Sequence, residues 1–114
     1  MNKRIKKLWV AALRSGEYKQ GRRRLRSNVN TFCCLGVLCN IHAQEHPKIA
    51  AAQKDSEQYM GSYARLPLAV CRWAKFKPVH DEAIRIAGDL NFLAAHNDKG
   101  VSFAKIADAI EEQL

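Results

Sequence analysis

The sequence predicts a mainly α, compact single domain spanning residues 1–114, built from about five helices, with a short β-hairpin as an option near residues 18–31. Three observations lead there. Apolar residues recur at helical spacing near both ends of the chain. The run from Phe32 to Ile41 is apolar on all sides, as a central core element is. No linker, repeat or low-complexity tract divides the 114 residues, and an apolar fraction of 47% argues against disorder.

Residues 4–15 read as the first helix. Ile5, Leu8, Trp9, Ala12 and Leu13 fall on one face, Lys3, Lys6, Lys7 and Arg14 lie on or beside the other, and Gly16 is placed to stop it. After a connector at Glu17–Gly21, Arg22–Arg26 suits an extended edge strand, because dense positive charge keeps an edge from pairing with other chains. Ser27–Asn30 has turn composition. Phe32–Ile41 is expected to be a buried helix capped by Thr31 and ended before Pro47. Residues 47–65 are the most loop-like stretch, with a short helix allowed at Ala50–Ala52.

Leu66-Pro67 opens a helix over 66–76, with Pro67 at its first position, an apolar stripe of Leu66, Val70, Trp73 and Ala74, and Pro78 as its end. A helix over 80–95 is expected next. Asp81 and Glu82 would complement the dipole of its first turn, and Ala83, Ile86, Ala87, Leu90 and Leu93 would face inward. Asn97–Gly100 is a turn. Ser102 caps a last helix over 103–113, with Phe103, Ile106, Ala107 and Ile110 inward and Val101 stapled to Ile106.

Net charge is +8, and its placement says more than its size. Residues 1–26 carry ten Lys/Arg against the single acid Glu17, a net of +9, whereas residues 27–114 carry nine bases and ten acids, a net of −1. Such asymmetry points to a polyanionic partner or an acidic protein surface. Arg22, Arg23, Arg24 and Arg26 are the expected phosphate contacts, since a guanidinium donates two hydrogen bonds at once. Lys3, Lys6, Lys7 and Arg14 would assist, and Tyr18 would stack on a base.

Other chemistries are weaker. Cys39, His42 and His46 have the spacing to converge on a helix, and Cys34 or Cys71 would complete a tetrahedral zinc site, but no paired CxxC motif supports one. No metal or other cofactor is therefore expected. Cys33 or Cys34 at a helix start, with His80 or His96 as base, would make a thiol nucleophile, yet the apolar surroundings oppose a thiolate. Asp89, Asn91, Asn97 and Asp98 fail the calcium-loop spacing, with Leu93 where an oxygen ligand is needed. The last two helices have the outline of a helix-turn-helix, but Asp108, Glu111 and Glu112 against Lys105 would repel phosphate.

No phosphate-binding glycine loop, metalloprotease motif or serine triad occurs, so binding rather than catalysis is expected. No apolar run is long enough to span a membrane. The stretch Leu8–Leu13 is shorter than the ~7–15 apolar residues of a secretory core, so the cytoplasm is the expected location. The four cysteines are then free thiols.

Several blocks resemble a known group. WVAALRSGEYKQ (9–20), FCCLGVLC (32–39), Leu66-Pro67 followed by Trp73-Ala74, and NDKGVSFAKIAD (97–108) are similar to short accessory proteins of tailed phages and prophages. The likeness covers most of the chain outside residues 43–62, and FCCLGVLC is its most specific part. It implies an accessory protein working in the cytoplasm of an infected bacterium, and it brings no functional residues with it. Two modes of action follow. In one, the basic first quarter contacts nucleic acid or a host nucleoprotein. In the other, it docks on an acidic host protein as an inhibitor of host defence.

Overall fold

In a computed structural model, which describes residues 1–27, 30–54, 56–77 and 83–114, six helices and two small sheets form one compact domain among the described residues. The architecture is mixed α/β rather than purely helical.

Helix α1 (Lys3–Arg14) forms where expected, started by Asn2, whose Oδ1 accepts the Ile5 N–H, and followed by Gly16 at φ 76°. Its buried face is Ile5, Trp9, Val10 and Leu13. Leu8 is turned out to 40% exposure, so the apolar stripe sits one residue round from the expected one.

The segment near residues 18–31 makes more than a hairpin. Strands β1 (Lys19–Gln20), β2 (Arg26–Ser27) and β3 (Thr31–Phe32) form a sheet ordered β1-β3-β2. β2 pairs antiparallel with β3, Arg26 opposite Phe32, and β1 pairs parallel with it. Of the arginine run only Arg26 lies in a strand. Arg23, at φ 65°, bends the chain out of the extended conformation expected there. Asn28 and Val29 of the expected turn lie outside the described residues.

Helix α2 (Cys34–Glu45) is the central element, buried at Cys34 to Cys39 and again at Ile41 and His42. Thr31 does not cap it, because Thr31 and Phe32 belong to β3, and Cys33 holds the cap position with no side-chain bond of its own. Trp9, fully buried, donates from Nε1 to the Cys34 carbonyl at 2.9 Å and packs edge-on against Phe76.

A short α3 (Pro47–Ala52) follows, with Pro47 at its start. Helix α4 (Leu68–Ala74) is shorter than the expected 66–76. Pro67 occupies the cap position, and Lys75 ends the helix in the left-handed conformation at φ 51°. Pro78, the expected stop, lies outside the described residues.

The expected helix over 80–95 is not what forms. Residues 80–82, with Asp81 and Glu82, lie outside the described part. Beyond them come β4 (Ile84–Ile86) and β5 (Asp89–Asn91), an antiparallel hairpin with Ile86 opposite Asp89. Ala87 and Gly88 make its two-residue turn at φ 51° and 83°, the left-handed pair that a type I′ hairpin requires. Ile84 in, Arg85 out is a period of two, which mimics a helical stripe in so short a stretch. Helix α5 (Leu93–Asp98) then begins. Helix α6 (Phe103–Gln113) matches expectation: the Ser102 side chain accepts from the Lys105 N–H, and Phe103, Ile106, Ala107 and Ile110 are buried. No helix among the described residues is long and apolar enough to cross a membrane.

Candidate polyanion interface

Between β1 and β2 the chain runs Gly21-Arg22-Arg23-Arg24-Leu25. Leu25 is buried, and its backbone lies on α2 at Gly36: a Cβ added there would stand 1.6 Å from the Leu25 carbonyl oxygen. Glycine alone allows that approach. Hydrogen bonds fix the loop on either side. The Gly21 N–H donates to the Phe32 carbonyl at 2.7 Å, and the Leu25 N–H to the Tyr63 carbonyl at 2.6 Å. The Arg24 carbonyl accepts from Cys33 at 3.3 Å. The Arg23 N–H donates to Asp98 Oδ1 at 2.8 Å.

The backbone is thus held along its length while the side chains of Arg22, Arg23 and Arg24 stand exposed. Arg24 lies over the Tyr63 ring, 4.8 Å from its centroid. Arg26 is half-buried over the Phe32 ring at 5.9 Å. Arginines on a pre-ordered backbone lose less conformational entropy on meeting an anion than those on a loose one.

The other expected contacts are placed elsewhere. Lys3, Lys6, Lys7 and Arg14 line a groove of about 530 Å³ along α1, together with Val10, Ala11 and Glu111, and the loop arginines do not line it. Arg14 is engaged: its Nη2 bonds Asp108 at 2.6 Å and Glu111 at 2.7 Å, and those carboxylates raise its pKa. Arg4 is held likewise by Glu45. Tyr18 packs inward, its hydroxyl accepting from Asn40 Nδ2 at 2.6 Å and its ring edge-on to Phe32. Its ring is therefore committed to the fold rather than standing clear for a base.

The thiols and imidazoles are also committed. Burial pushes the Cys33 thiol up and the Cys39 thiol well up, the opposite of what a thiolate nucleophile or ligand needs. His46 Nδ1 donates to the His42 carbonyl at 2.6 Å, and His42 Nδ1 meets the Tyr59 hydroxyl at 2.6 Å. The two rings stack with centroids 4.0 Å apart, so their lone pairs do not converge on one point. Cys34 Sγ reaches the Leu93 carbonyl, and Cys71 is half-buried on α4. No group of three or more metal-type ligands is assembled among the described residues. His96 is buried, with Nε2 donating to the Ile84 carbonyl at 2.7 Å, so it joins α5 to the β4–β5 hairpin. His80 lies outside the described residues.

The positioning role of the residues that hold the loop was not read from the sequence. Leu25, Gly36, Tyr63, Asn97 and Asp98 do that work. Two had a readable signal: a leucine isolated inside an arginine run, and a glycine inside an apolar run, which marks a close backbone approach.

No curated protein and no solved structure is found to match the chain. Its full length, residues 1–114, matches a family described as a domain of unknown function (DUF8296), and the chain belongs to that family.

Proposed function

We propose that this chain is a binding protein whose arginine loop docks on the phosphates of nucleic acid or of a nucleoprotein. The observation that carries the reading is the seat of Leu25 on Gly36, which orders the backbone under three exposed arginines. The +8 net charge supports it by drawing any polyanion to the surface. Lys3, Lys6 and Lys7 add a second cationic strip along α1, where Arg14 is already neutralised. The resemblance to phage accessory proteins supports a role in the cytoplasm of an infected bacterium.

Fluorescence anisotropy with labelled duplex DNA, single-stranded DNA and RNA tests the proposal. Binding at low salt that weakens as salt rises supports it. Absence of binding to all three overturns it. A host protein retained after nuclease treatment, with no nucleic-acid binding, would favour docking of the same arginines on an acidic protein surface.

A further inference from the structure

A second surface borders the arginine loop at Asp98. Helix α4, the segment leading into it and the start of α5 enclose a groove of about 760 Å³. Its apolar lining includes Leu35, Leu66, Leu68, Cys71, Phe76 and Phe92. A shallower trough continues from Leu68, Cys71 and Phe76 towards Arg72 and Lys75. Leu68 is 71% exposed and Phe92 48% exposed. Two large apolar side chains standing in water beside one apolar groove are more than the single exposed residues an ordinary surface carries.

The rim is mainly basic. Arg65 lines the groove, and Arg72 and Lys75 line the trough. None of these three forms an ion pair among the described residues. The one carboxylate in the lining, Asp98, already accepts the Arg23 N–H. A second copy of this chain would bring like charges against like, at a net charge of +8 per copy. Like-charge juxtaposition of that kind opposes self-association.

We propose that this groove receives an acidic amphipathic helix of a partner protein. The partner's apolar anchors, at i, i+3, i+4 and i+7, would cover Leu68 and Phe92, and its carboxylates would meet Arg65, Arg72 and Lys75. The contact would use side chains other than Arg22, Arg23 and Arg24, although the groove meets the arginine loop at Asp98.

The probe is a fluorescein-labelled synthetic peptide of about 18 residues, with leucines at that spacing and glutamates elsewhere. Two controls share its length: a scrambled sequence, and the same pattern with lysine in place of glutamate. Anisotropy titrations are run against the full chain and against Leu68→Asp, Phe92→Ser and the double variant Arg72→Glu/Lys75→Glu. All four positions are exposed, and circular dichroism checks that each variant remains folded. The acidic amphipathic peptide should bind at least about tenfold tighter than either control, and each variant should lose about tenfold or more.

Absence of binding overturns the proposal. Equal binding of the scrambled peptide also does so, by reducing the effect to bulk charge, as does undiminished binding to folded Leu68→Asp. A concentration-dependent dimer of the wild-type chain that Leu68→Asp abolishes would assign the groove to a second copy and overturn it as well.

Discussion

Asn97 Oδ1 accepts the backbone N–H of Cys34 at 3.2 Å, so the first turn of the central helix is capped by a side chain 63 positions away. Cys33, at the cap position, supplies no such bond. The same Oδ1 accepts from Gln20 Nε2 at 2.9 Å, and Asn97 Nδ2 donates to the Gly21 carbonyl at 2.9 Å. One fully buried amide thus joins α5, the start of α2 and the first residue of the arginine loop.

Asn97→Ala should therefore be among the costly single changes. It strands buried donors and an acceptor at once, each worth about 1–3 kcal/mol when left unpaired. Denaturant unfolding should show a loss of about 2–4 kcal/mol. A loss below about 0.5 kcal/mol would mean that water or a neighbour replaces the amide.

Gly36→Ala places a methyl group into the Leu25 carbonyl, which it would meet at 1.6 Å. The helix and the loop must separate, at a cost of about 1–3 kcal/mol or more. Nucleic-acid binding should fall as well, because the displaced segment carries the arginines. A stable variant with unchanged binding would show that the loop's order is irrelevant to recognition.

Arg14→Ala offers the converse. Its guanidinium is bound to exposed Asp108 and Glu111, and exposed pairs contribute only about 0–1 kcal/mol. Thermal unfolding should shift little. Polyanion affinity should hardly change, because the guanidinium is already neutralised by the two carboxylates. A large loss of affinity would contradict the division between paired and unpaired cations.

Stability should fall as the solution is acidified through the histidine range. Burial first, and His46 second, hold the His42 pKa below its ordinary value. The Tyr59 hydroxyl, whose own pKa is pushed up to about 12, lies at hydrogen-bond distance, 2.6 Å, from His42 Nδ1. The folded state thus resists a proton that the unfolded state accepts, so stability is full above about pH 6.5 and declines below it. Denaturant midpoints at a series of pH values should show that decline, and His42→Gln should flatten it. An unchanged slope in the folded variant would move the effect to other groups.

How far the sequence revealed this architecture depended on the length of each signal. Helices α1 and α6 repeat their apolar stripe over several turns, and both were legible. The stretch from Ile84 to Asn91 was not: Ala87-Gly88 makes a turn only because both adopt left-handed backbone, and alanine gives little warning of that. Among the candidate site residues, the exposure of Arg22, Arg23 and Arg24 was legible from charge alone. Arg14 read as the same kind of residue until Asp108 and Glu111, distant in sequence, proved to neutralise it. The amide of Asn97 could not be placed, since its partners Gln20, Gly21 and Cys34 come together only through the fold.

The most direct test of the central claim is the salt dependence of duplex DNA binding, compared between the wild type and Arg22→Ala/Arg23→Ala/Arg24→Ala. If the loop meets three phosphates, the slope of log affinity against log salt concentration should become shallower by about 2–3 in the variant, with affinity lost at every salt concentration. A folded variant with the wild-type slope and affinity would contradict the account.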